Sequence, residues 1–270
     1  MSAAASPGFA VVPDAPVLLA VTGAAEQVSL DGEPYATHAL LVVPAGVRCE
    51  IAAPRRGWRS YVALNGRLEA AALLGSVAPD PVLGFGTRLV AGSTLRLGTR
   101  FAGLDHAALR LPVLRLDAPR PRLEEPAVVD VTPGPEAGGA DGPAGTFTVS
   151  PASDGVGLRL LGPAPVRSGG AELLSRGVPV GAVETPPGGG LLALLRGRLV
   201  TAGYPVVAVA TTVGVDRLAQ LGPGAQVRFR TVGTDVAHAD LRARERARRE
   251  LAARVASALG AVGLAACLAS

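Results

Sequence analysis

The amino-acid sequence predicts a mainly β fold in two barrel-like halves, followed by one long C-terminal α-helix. Short apolar runs of strand length alternate with turns that contain glycine or proline along most of the chain. The 270 residues include 35 glycines and 23 prolines, whereas aromatic residues make up only 3%. Strands this short, separated by frequent turns, are typical of antiparallel barrels or sandwiches. Only the segment after Thr234 carries apolar residues at helical spacing.

Charge and cysteine content argue against a nucleic-acid-binding protein and against a metal-binding protein. All 26 residues of the Lys and Arg class are arginine, and the formal net charge is +4. The arginines are scattered and no aromatic-rich basic patch accompanies them, so nucleic acid is not an expected partner. Cys49 and Cys267 lie far apart and match no metal-ligand spacing, so we expect free thiols and no metal site.

The apolar runs predict a cytoplasmic protein that does not contact a membrane. The first stretch, MSAAASPGFAVVPD, carries no basic residue before its apolar residues, which is not the pattern of a secretory signal. No apolar run reaches the roughly 18 residues that a membrane-spanning helix needs.

The first predicted domain, residues 10–115, consists of short strands joined by tight turns. Asp31-Gly32 is a strong hairpin signal, and we expect Thr37–Val43 to be the strand that returns from it. Asn65-Gly66 marks a later turn. The predicted strands are Val17–Val21, Gln27–Leu30, Thr37–Val43, Val47–Ile51, Trp58–Leu64 and Thr94–Leu97.

Residues 116–145 predict a linker between two domains. This range is rich in Pro, Gly, Asp and Glu, and such a composition buries too little apolar surface to order itself strongly. The second predicted domain then spans residues 146–232. Its strands include three apolar runs bounded by Gly or Pro, namely Val178–Val183, Leu191–Leu195 and Val206–Val213, followed by a short helix and a final strand.

The C-terminal segment, residues 234–268, predicts one amphipathic helix. Thr234 is a suitable N-cap, and Asp235 lies near the positive end of the helix dipole. Arginines occupy the other face, which we interpret mainly as a solvated surface, with docking to an acidic partner as the alternative. The predicted apolar stripe comprises Val236, Ala239, Ala243, Ala247, Leu251, Val255, Ala258 and Val262.

The residues alone indicate one set of loops as a candidate site. No nucleophile elbow, phosphate loop or dinucleotide fingerprint occurs. Glu172 and Glu184 are acidic residues near Gly- and Pro-rich turns, and one connection carries Arg198, Thr201, Gly203, Tyr204 and Pro205. Carboxylates and an arginine in such loops suit a small anionic or amide-bearing substrate. Ser150, Ser153 and Asp154 share one turn, where capping of their own backbone is the plain interpretation.

The chain contains, in this order, the segments TGAAEQVSLDGEPYATHALLVVPAG, YVALNGRLEAAALLGS, SPASDGVGLRLLGP, ELLSRGVPVGAVETPPGGG, RLVTAGYP and VDRLAQLGPGAQVRFR. Together these segments resemble the biotin-dependent carboxyltransferase family, which includes allophanate hydrolase subunit 2 and the C-type subunit of 5-oxoprolinase. The resemblance covers most of the chain from about Val17 onward.

The resemblance implies a fold, a partner and an activity. It implies two cyclophilin-like β-barrel domains and a companion subunit of similar fold, which resembles allophanate hydrolase subunit 1. It implies ATP-dependent opening of 5-oxoproline to glutamate, or a carboxyltransferase role in urea carboxylase. ATP is then bound by this chain or with its partner, and biotin is not expected on this chain. Ser150, Ser153, Asp154 and the loop from Arg198 to Pro205 match family motifs and become substrate-binding candidates, with Glu172 and Glu184 as acid/base candidates.

The chain also departs from the family pattern. It is shortened at the N-terminus, without the family's Gln-Asp-x-Gly-Arg segment. Gly155 stands where the family has arginine, and Glu184 where it usually has glutamine. The loop GRLVTAGYP replaces a family loop that has an additional acid, amide and hydroxyl. Two interpretations follow: a subunit of a 5-oxoprolinase-like amide hydrolase in which Arg198 grips a carboxylate, or a divergent non-catalytic regulator or structural partner.

Overall fold

The computed structural model describes residues 8–80, 83–86, 88–99, 101, 103, 113–115, 124–138, 142–163, 173–261 and 263. The predicted fold class is confirmed: these residues form a mainly β structure with a long C-terminal helix. None of its helices is long and apolar enough to cross a membrane.

The described residues of the first half form ten short strands, most of them in two sheets that pack on a common core. One sheet has the order β1-β6-β3-β4 and the other β10-β5-β2-β7, while β8 and β9 form a separate ladder. Val21, Val28, Leu41 and Ile51 are core residues contributed by both sheets. The strands are β1 (Phe9–Val11), β2 (Val17–Gly23), β3 (Gln27–Leu30), β4 (Glu33–Ala36), β5 (Ala39–Val43), β6 (Cys49–Ile51), β7 (Ser60–Leu64), β8 (Arg67–Leu68), β9 (Leu97–Gly98) and β10 (Val113–Arg115).

The hairpin at Asp31-Gly32 is present, but the expected returning strand was wrong. Asp31 and Gly32 have φ of 47° and 89°, the left-handed conformation that a two-residue hairpin turn requires. The strand that returns and pairs with β3 is β4, which ends at Ala36. His38 then has φ of 59°, and this interrupts extended backbone, so that β5 starts anew and pairs with β2 in the other sheet.

The second half is a closed barrel of seven strands in the order β11-β18-β15-β16-β13-β12-β19. Its interior contains Val129, Phe147, Leu160, Ala208 and Val227, all buried. The elements of this half are β11 (Ala127–Pro133), β12 (Thr146–Val149), β13 (Gly157–Leu161), β14 (Arg176–Gly177), β15 (Ala182–Glu184), β16 (Leu191–Leu194), β17 (Thr201–Ala202), β18 (Val206–Ala210), α1 (Thr212–Leu218), β19 (Gln226–Thr231) and α2 (Thr234–Ala261).

Two sequence-based expectations for this half need correction. The range 116–145, expected to be a linker, contains the barrel strand β11, because Val129 and Val131 alternate into the core despite the polar composition around them. The run Val178–Val183 is not one strand, since Gly181 has φ of 88° in a turn and β15 begins only at Ala182.

A two-stranded ribbon, β14 paired with β17, lies outside the closed barrel. Arg176 pairs with Ala202 and Gly177 with Thr201. Ala202 packs against a small apolar cluster on the barrel's outer face, which consists of Val178, Ala182, Leu194 and Val206. We call these four residues the outer cluster. The ribbon therefore covers one patch of the barrel wall.

The two halves are joined by the side chain of Gln220, just after α1. Its Oε1 accepts hydrogen bonds from the backbone N–H groups of Trp58 (3.1 Å) and Arg59 (3.0 Å), and its Nε2 donates to the Arg59 carbonyl (3.0 Å). The Arg59 guanidinium donates in turn to the carbonyl of Ala219. The Gln220 side-chain amide thus pairs with three backbone groups of the first half.

Helix α2 packs on both halves, but not along the whole predicted stripe. Near its end, Val255 of the stripe packs on the first half, together with Leu259, a residue outside the predicted stripe that contacts the cluster of Leu18 and Phe101. Val236, in contrast, is 49% exposed. Earlier in the helix Ala237 and Leu241 are half-buried, on the part of the helix where Arg244 pairs with Asp216 of α1.

Candidate functional site

Glu184 lies at the end of β15, on the outside of the barrel and near the ribbon. In the strand register it is opposite Leu192 of β16 and Val206 of β18. Residues directly opposite each other share one face of a sheet, and Val206 belongs to the outer cluster. Val183, one residue earlier, faces the barrel interior instead. Glu184 is therefore a carboxyl group set into an apolar outer wall, close enough to Arg176 of the ribbon to interact with its charge.

Two adjacent side chains at this point are buried with unused hydrogen-bonding capacity. Glu184 is 1% exposed and Thr185 is 3% exposed. Among the described residues, Glu184 Oε1 and Thr185 Oγ1 are two of the three buried side-chain atoms without a hydrogen-bond partner. The Thr185 backbone N–H donates to the Pro205 carbonyl at 3.0 Å. Because buried polar groups are nearly always paired, each of these atoms calls for a partner such as a water molecule or a ligand, and this makes Glu184 a candidate binding residue.

An ion pair between Arg176 and Glu136 lies beside this carboxyl group. Arg176 is in the ribbon, and its guanidinium donates to Glu136 Oε2. The same oxygen accepts from the backbone N–H of Val206 at 2.8 Å, and Val206 is the cross-strand neighbour of Glu184. The two carboxylates and the guanidinium thus meet around Val206.

The electrostatics of the three groups follow from their surroundings. Burial raises the pKa of Glu184 to about 6, and the positive charge of Arg176 opposes part of that rise. The pKa of Glu136 is lowered, chiefly by the hydrogen bond from Arg176. Glu184 therefore exchanges its proton close to neutral pH, as a general acid or base requires, while Glu136 stays ionised.

The loop predicted to bind substrate borders the same region, although its side chains have structural roles as well. Arg198 Nε donates to the Val178 carbonyl at 3.0 Å. A β-carbon on Gly203 would come within 2.9 Å of the Leu173 carbonyl, so close backbone approach explains this glycine. Thr201 is exposed, and Tyr204 and Pro205 are half-buried. The loop reaches the candidate site through Pro205, whose carbonyl accepts the hydrogen bond from the Thr185 backbone.

The turn with Ser150, Ser153 and Asp154 uses its side chains on its own backbone. Ser150 Oγ accepts from the Ala152 N–H at 3.2 Å, and Ser153 Oγ accepts from the Arg159 N–H at 3.0 Å. Asp154 Oδ1 accepts from the N–H groups of residues 156 and 157 at 2.8 and 3.2 Å. These contacts are turn chemistry, and the proposed binding role of the three residues stays a prediction.

Sequence reasoning missed Arg176 and Glu136. Arg176 lies within the family-like stretch ELLSRG and Glu136 within PGPE, but 40 residues separate them and no local spacing links them. Glu172, the other acid/base candidate, lies outside the described residues.

Other parts of the described chain contain weaker candidates for a binding site. No group of three or more His, Cys, Asp or Glu side chains among the described residues is placed to hold a metal ion. A shallow cleft of about 370 Å³ lies over the first-half sheet, away from Glu184, and is lined in part by Phe9, Ser29, Arg48 and Glu50.

The fold and the covered carboxyl group define a β-barrel protein with a small polar site on the outside of its second barrel. The chain belongs to the family described as carboxyltransferase domain, subdomain A and B, whose model matches residues 4–231. Two relatives are named as the C-type subunit of 5-oxoprolinase. The one from Escherichia coli (strain K12) is 29% identical over 224 residues, or 78% of this chain and 68% of the relative. The one from Haemophilus influenzae is 25% identical over 218 residues, with the same coverage. The family resemblance of the sequence is thereby confirmed.

Solved structures agree on the fold. The crystal structure of TTHA0988 has a TM-score of 0.67 at 27% identity and covers 83% of this chain. Kluyveromyces lactis urea carboxylase has a TM-score of 0.74 at 20% identity, covers 91% of this chain and shows the fold alone. This chain spans 44% of TTHA0988 and 24% of the urea carboxylase.

Proposed function

We propose that this protein is a subunit of an ATP-dependent amide-hydrolysing complex that opens 5-oxoproline, or a closely similar ring amide, to the amino acid. One observation carries the proposal: Glu184 is a buried carboxyl group with an unpartnered oxygen and a pKa of about 6. Relatives named as a 5-oxoprolinase subunit support the choice of substrate. The companion subunit, which resembles allophanate hydrolase subunit 1, supplies the rest of the complex.

The chemistry proposed for Glu184 is proton transfer during opening of the amide. As a carboxylate it takes a proton from the attacking water, while the water oxygen forms a bond to the amide carbon. The carbon–nitrogen bond then breaks, and Glu184 returns the proton to the leaving nitrogen. Thr185 follows Glu184 in the chain and has an unpartnered Oγ1; we propose that this hydroxyl donates a hydrogen bond to the amide oxygen. Exclusion of water from this buried position strengthens both interactions.

The residues around Glu184 do not fit a nucleoside triphosphate such as ATP. They offer two carboxyl groups, and the one guanidinium that acts on Glu184 is already engaged by Glu136. A triphosphate would meet negative charge rather than a cradle of backbone N–H groups. We therefore assign ATP to the companion subunit or to the assembled complex, and no step at Glu184 depends on it.

Co-expression with the companion subunit from the native host tests the proposal. The two chains are expected to purify together and to release glutamate from 5-oxoproline when ATP is present. The control omits this chain from the mixture. A purified complex that releases no more glutamate than the companion subunit alone contradicts the proposal.

A second candidate function, a non-catalytic regulatory or structural partner of the companion subunit, has one observation in its favour. Glu184 and Thr185 are almost fully covered, so substrate reaches them only after the ribbon shifts. If the ribbon never opens, the chain binds the companion subunit but no small molecule. Co-purification without 5-oxoproline binding supports this candidate.

A further inference from the structure

Glu136 is held in a fixed position by both its backbone and its side chain. Its backbone N–H donates to the Val206 carbonyl at 3.1 Å, while its carboxylate accepts from the Val206 N–H at 2.8 Å. Gly134, two residues earlier, lies so close to Val206 that a β-carbon there would meet the Val206 carbonyl at 2.2 Å. We call these contacts between Glu136 and Val206 the clamp. The clamp holds the Glu136 carboxylate against β18, the strand opposite Glu184, and does not involve Arg176.

Arg176 contacts that carboxylate from the ribbon, nearer to solvent than Glu184. The side chains of Arg176 and Glu136 are 39% and 28% exposed, whereas Glu184 is 1% exposed. Partly exposed ion pairs contribute little net free energy and exchange readily with other charges. A second carboxylate that arrives from solvent therefore competes with Glu136 for the guanidinium at modest cost.

We propose that Arg176 binds the carboxylate of the substrate in place of Glu136, and that this exchange loosens the ribbon and admits the adjoining amide to Glu184 and Thr185. This inference rests on the proposed function and specifies its substrate class: a small ring amide with a carboxylate next to the amide nitrogen. Glu136 keeps its hydrogen bond from Val206 after the exchange, so it is not left buried without a partner. In the resting protein, Glu136 occupies the position of the substrate carboxylate.

Variants of Glu136 and Arg176 separate this exchange from a merely structural ion pair. Glu136→Gln removes the charge but keeps a side-chain oxygen that accepts from Val206, so the clamp is retained. Arg176→Ala removes the guanidinium, and Arg176→Lys keeps a charge without its two-pronged geometry. Glu50→Gln is the matched control, because it removes the exposed ion pair with Arg48 in the other half.

Calorimetric titration of the complete complex, with 5-oxoproline and with 2-pyrrolidinone, gives the test. 2-Pyrrolidinone has the same ring amide without the carboxylate. We expect Glu136→Gln to bind 5-oxoproline about two- to fivefold more tightly, since the competing carboxylate has gone. Arg176→Ala should bind it about tenfold or more weakly, with partial recovery in Arg176→Lys. 2-Pyrrolidinone cannot displace Glu136 from Arg176, so it should bind the parent more weakly than 5-oxoproline and should lose no affinity in Arg176→Ala. Glu50→Gln should behave as the parent.

Two results overturn the inference. One is equal 5-oxoproline affinity in the parent, Glu136→Gln and Arg176→Ala. The other is absence of 5-oxoproline binding in the parent complex. Failure of the proposed function has a different signature: 5-oxoproline binds in an Arg176-dependent manner, but no glutamate forms when ATP is added. Urea unfolding of each variant confirms that the compared proteins are folded.

Discussion

The ring of Trp58, in the first half, lies directly against Gly222 in the second. A β-carbon added to Gly222 would come within 2.1 Å of the ring. Gln220, two residues earlier, accepts hydrogen bonds from the backbone of Trp58 and Arg59. The two halves are therefore joined by a contact that requires a residue without a side chain.

Gly222→Ala should separate the halves locally and destabilise the protein by about 1–3 kcal/mol, because the added methyl group overpacks the contact. Trp58 is the only tryptophan of the chain, so its fluorescence reports on this contact directly. We expect a red-shifted emission maximum and a lower urea midpoint. Gly155→Ala is the control, since a β-carbon there meets nothing within 4 Å. Unchanged fluorescence in Gly222→Ala would show that the contact is absent in solution.

Leu259→Ala should cost about 2–5 kcal/mol of the free energy of unfolding, because it leaves a cavity between α2, Leu18 and Phe101. Leu259 is only 4% exposed. Val236→Ala, on the exposed first turn of the same helix, should change stability by less than about 0.5 kcal/mol. Urea unfolding measures both. A similar loss in Val236→Ala would show that Val236 is packed in solution, as the predicted stripe has it.

Part of the fold follows from local sequence, and part does not. Asp31-Gly32 specifies its turn through backbone conformation alone, so the hairpin was predictable. The break at His38 and the late start of β15 depend on which sheet each segment joins. The sheet that each segment joins depends on strands far away in the sequence, so the local pattern of apolar residues does not reveal it.

The candidate site, like the fold, was predictable from the local sequence only in part. Glu184 was predictable as a chemical group, because a carboxyl beside Pro- and Gly-rich turns stands out in the sequence. Its burial depends on the packing of the barrel wall, and its pKa is also affected by Arg176, whose own partner Glu136 lies 40 residues away in the chain. Arg198 is conspicuous in the sequence because its loop matches a family motif, yet its Nε is engaged by the Val178 carbonyl.

Glu184→Gln should make the protein more stable at alkaline pH, with little change at acidic pH. Burial raises the pKa of Glu184 to about 6, so the native state holds a proton that the unfolded state loses at lower pH. The stabilisation by this proton is complete below the unfolded pKa and is lost as the pH rises through about 6. Relative to the variant, the parent should lose about 2 kcal/mol between pH 4 and pH 8. Urea unfolding at both pH values measures it, and parallel pH profiles would contradict it.

Arg198→Ala and Arg176→Ala together decide which arginine contacts the substrate. The sequence assigns the carboxylate to Arg198, whereas the geometry around Val206 favours Arg176. We expect Arg198→Ala to keep 5-oxoproline affinity within about twofold, since its Nε contact only ties the loop to residue 178. Calorimetric titration compares the two variants. Loss of binding in Arg198→Ala alone would return the role to Arg198.

The most direct test of the account is the rate of glutamate formation from 5-oxoproline and ATP by the assembled complex with Glu184→Gln. Proton transfer by Glu184 predicts a fall of about a hundredfold or more, while the variant is as stable as the parent or more so. Glu50→Gln, an exposed carboxylate in the other half, should keep the parent rate. A folded Glu184→Gln complex that forms glutamate at the parent rate would contradict the central claim that the Glu184 carboxyl group carries the reaction.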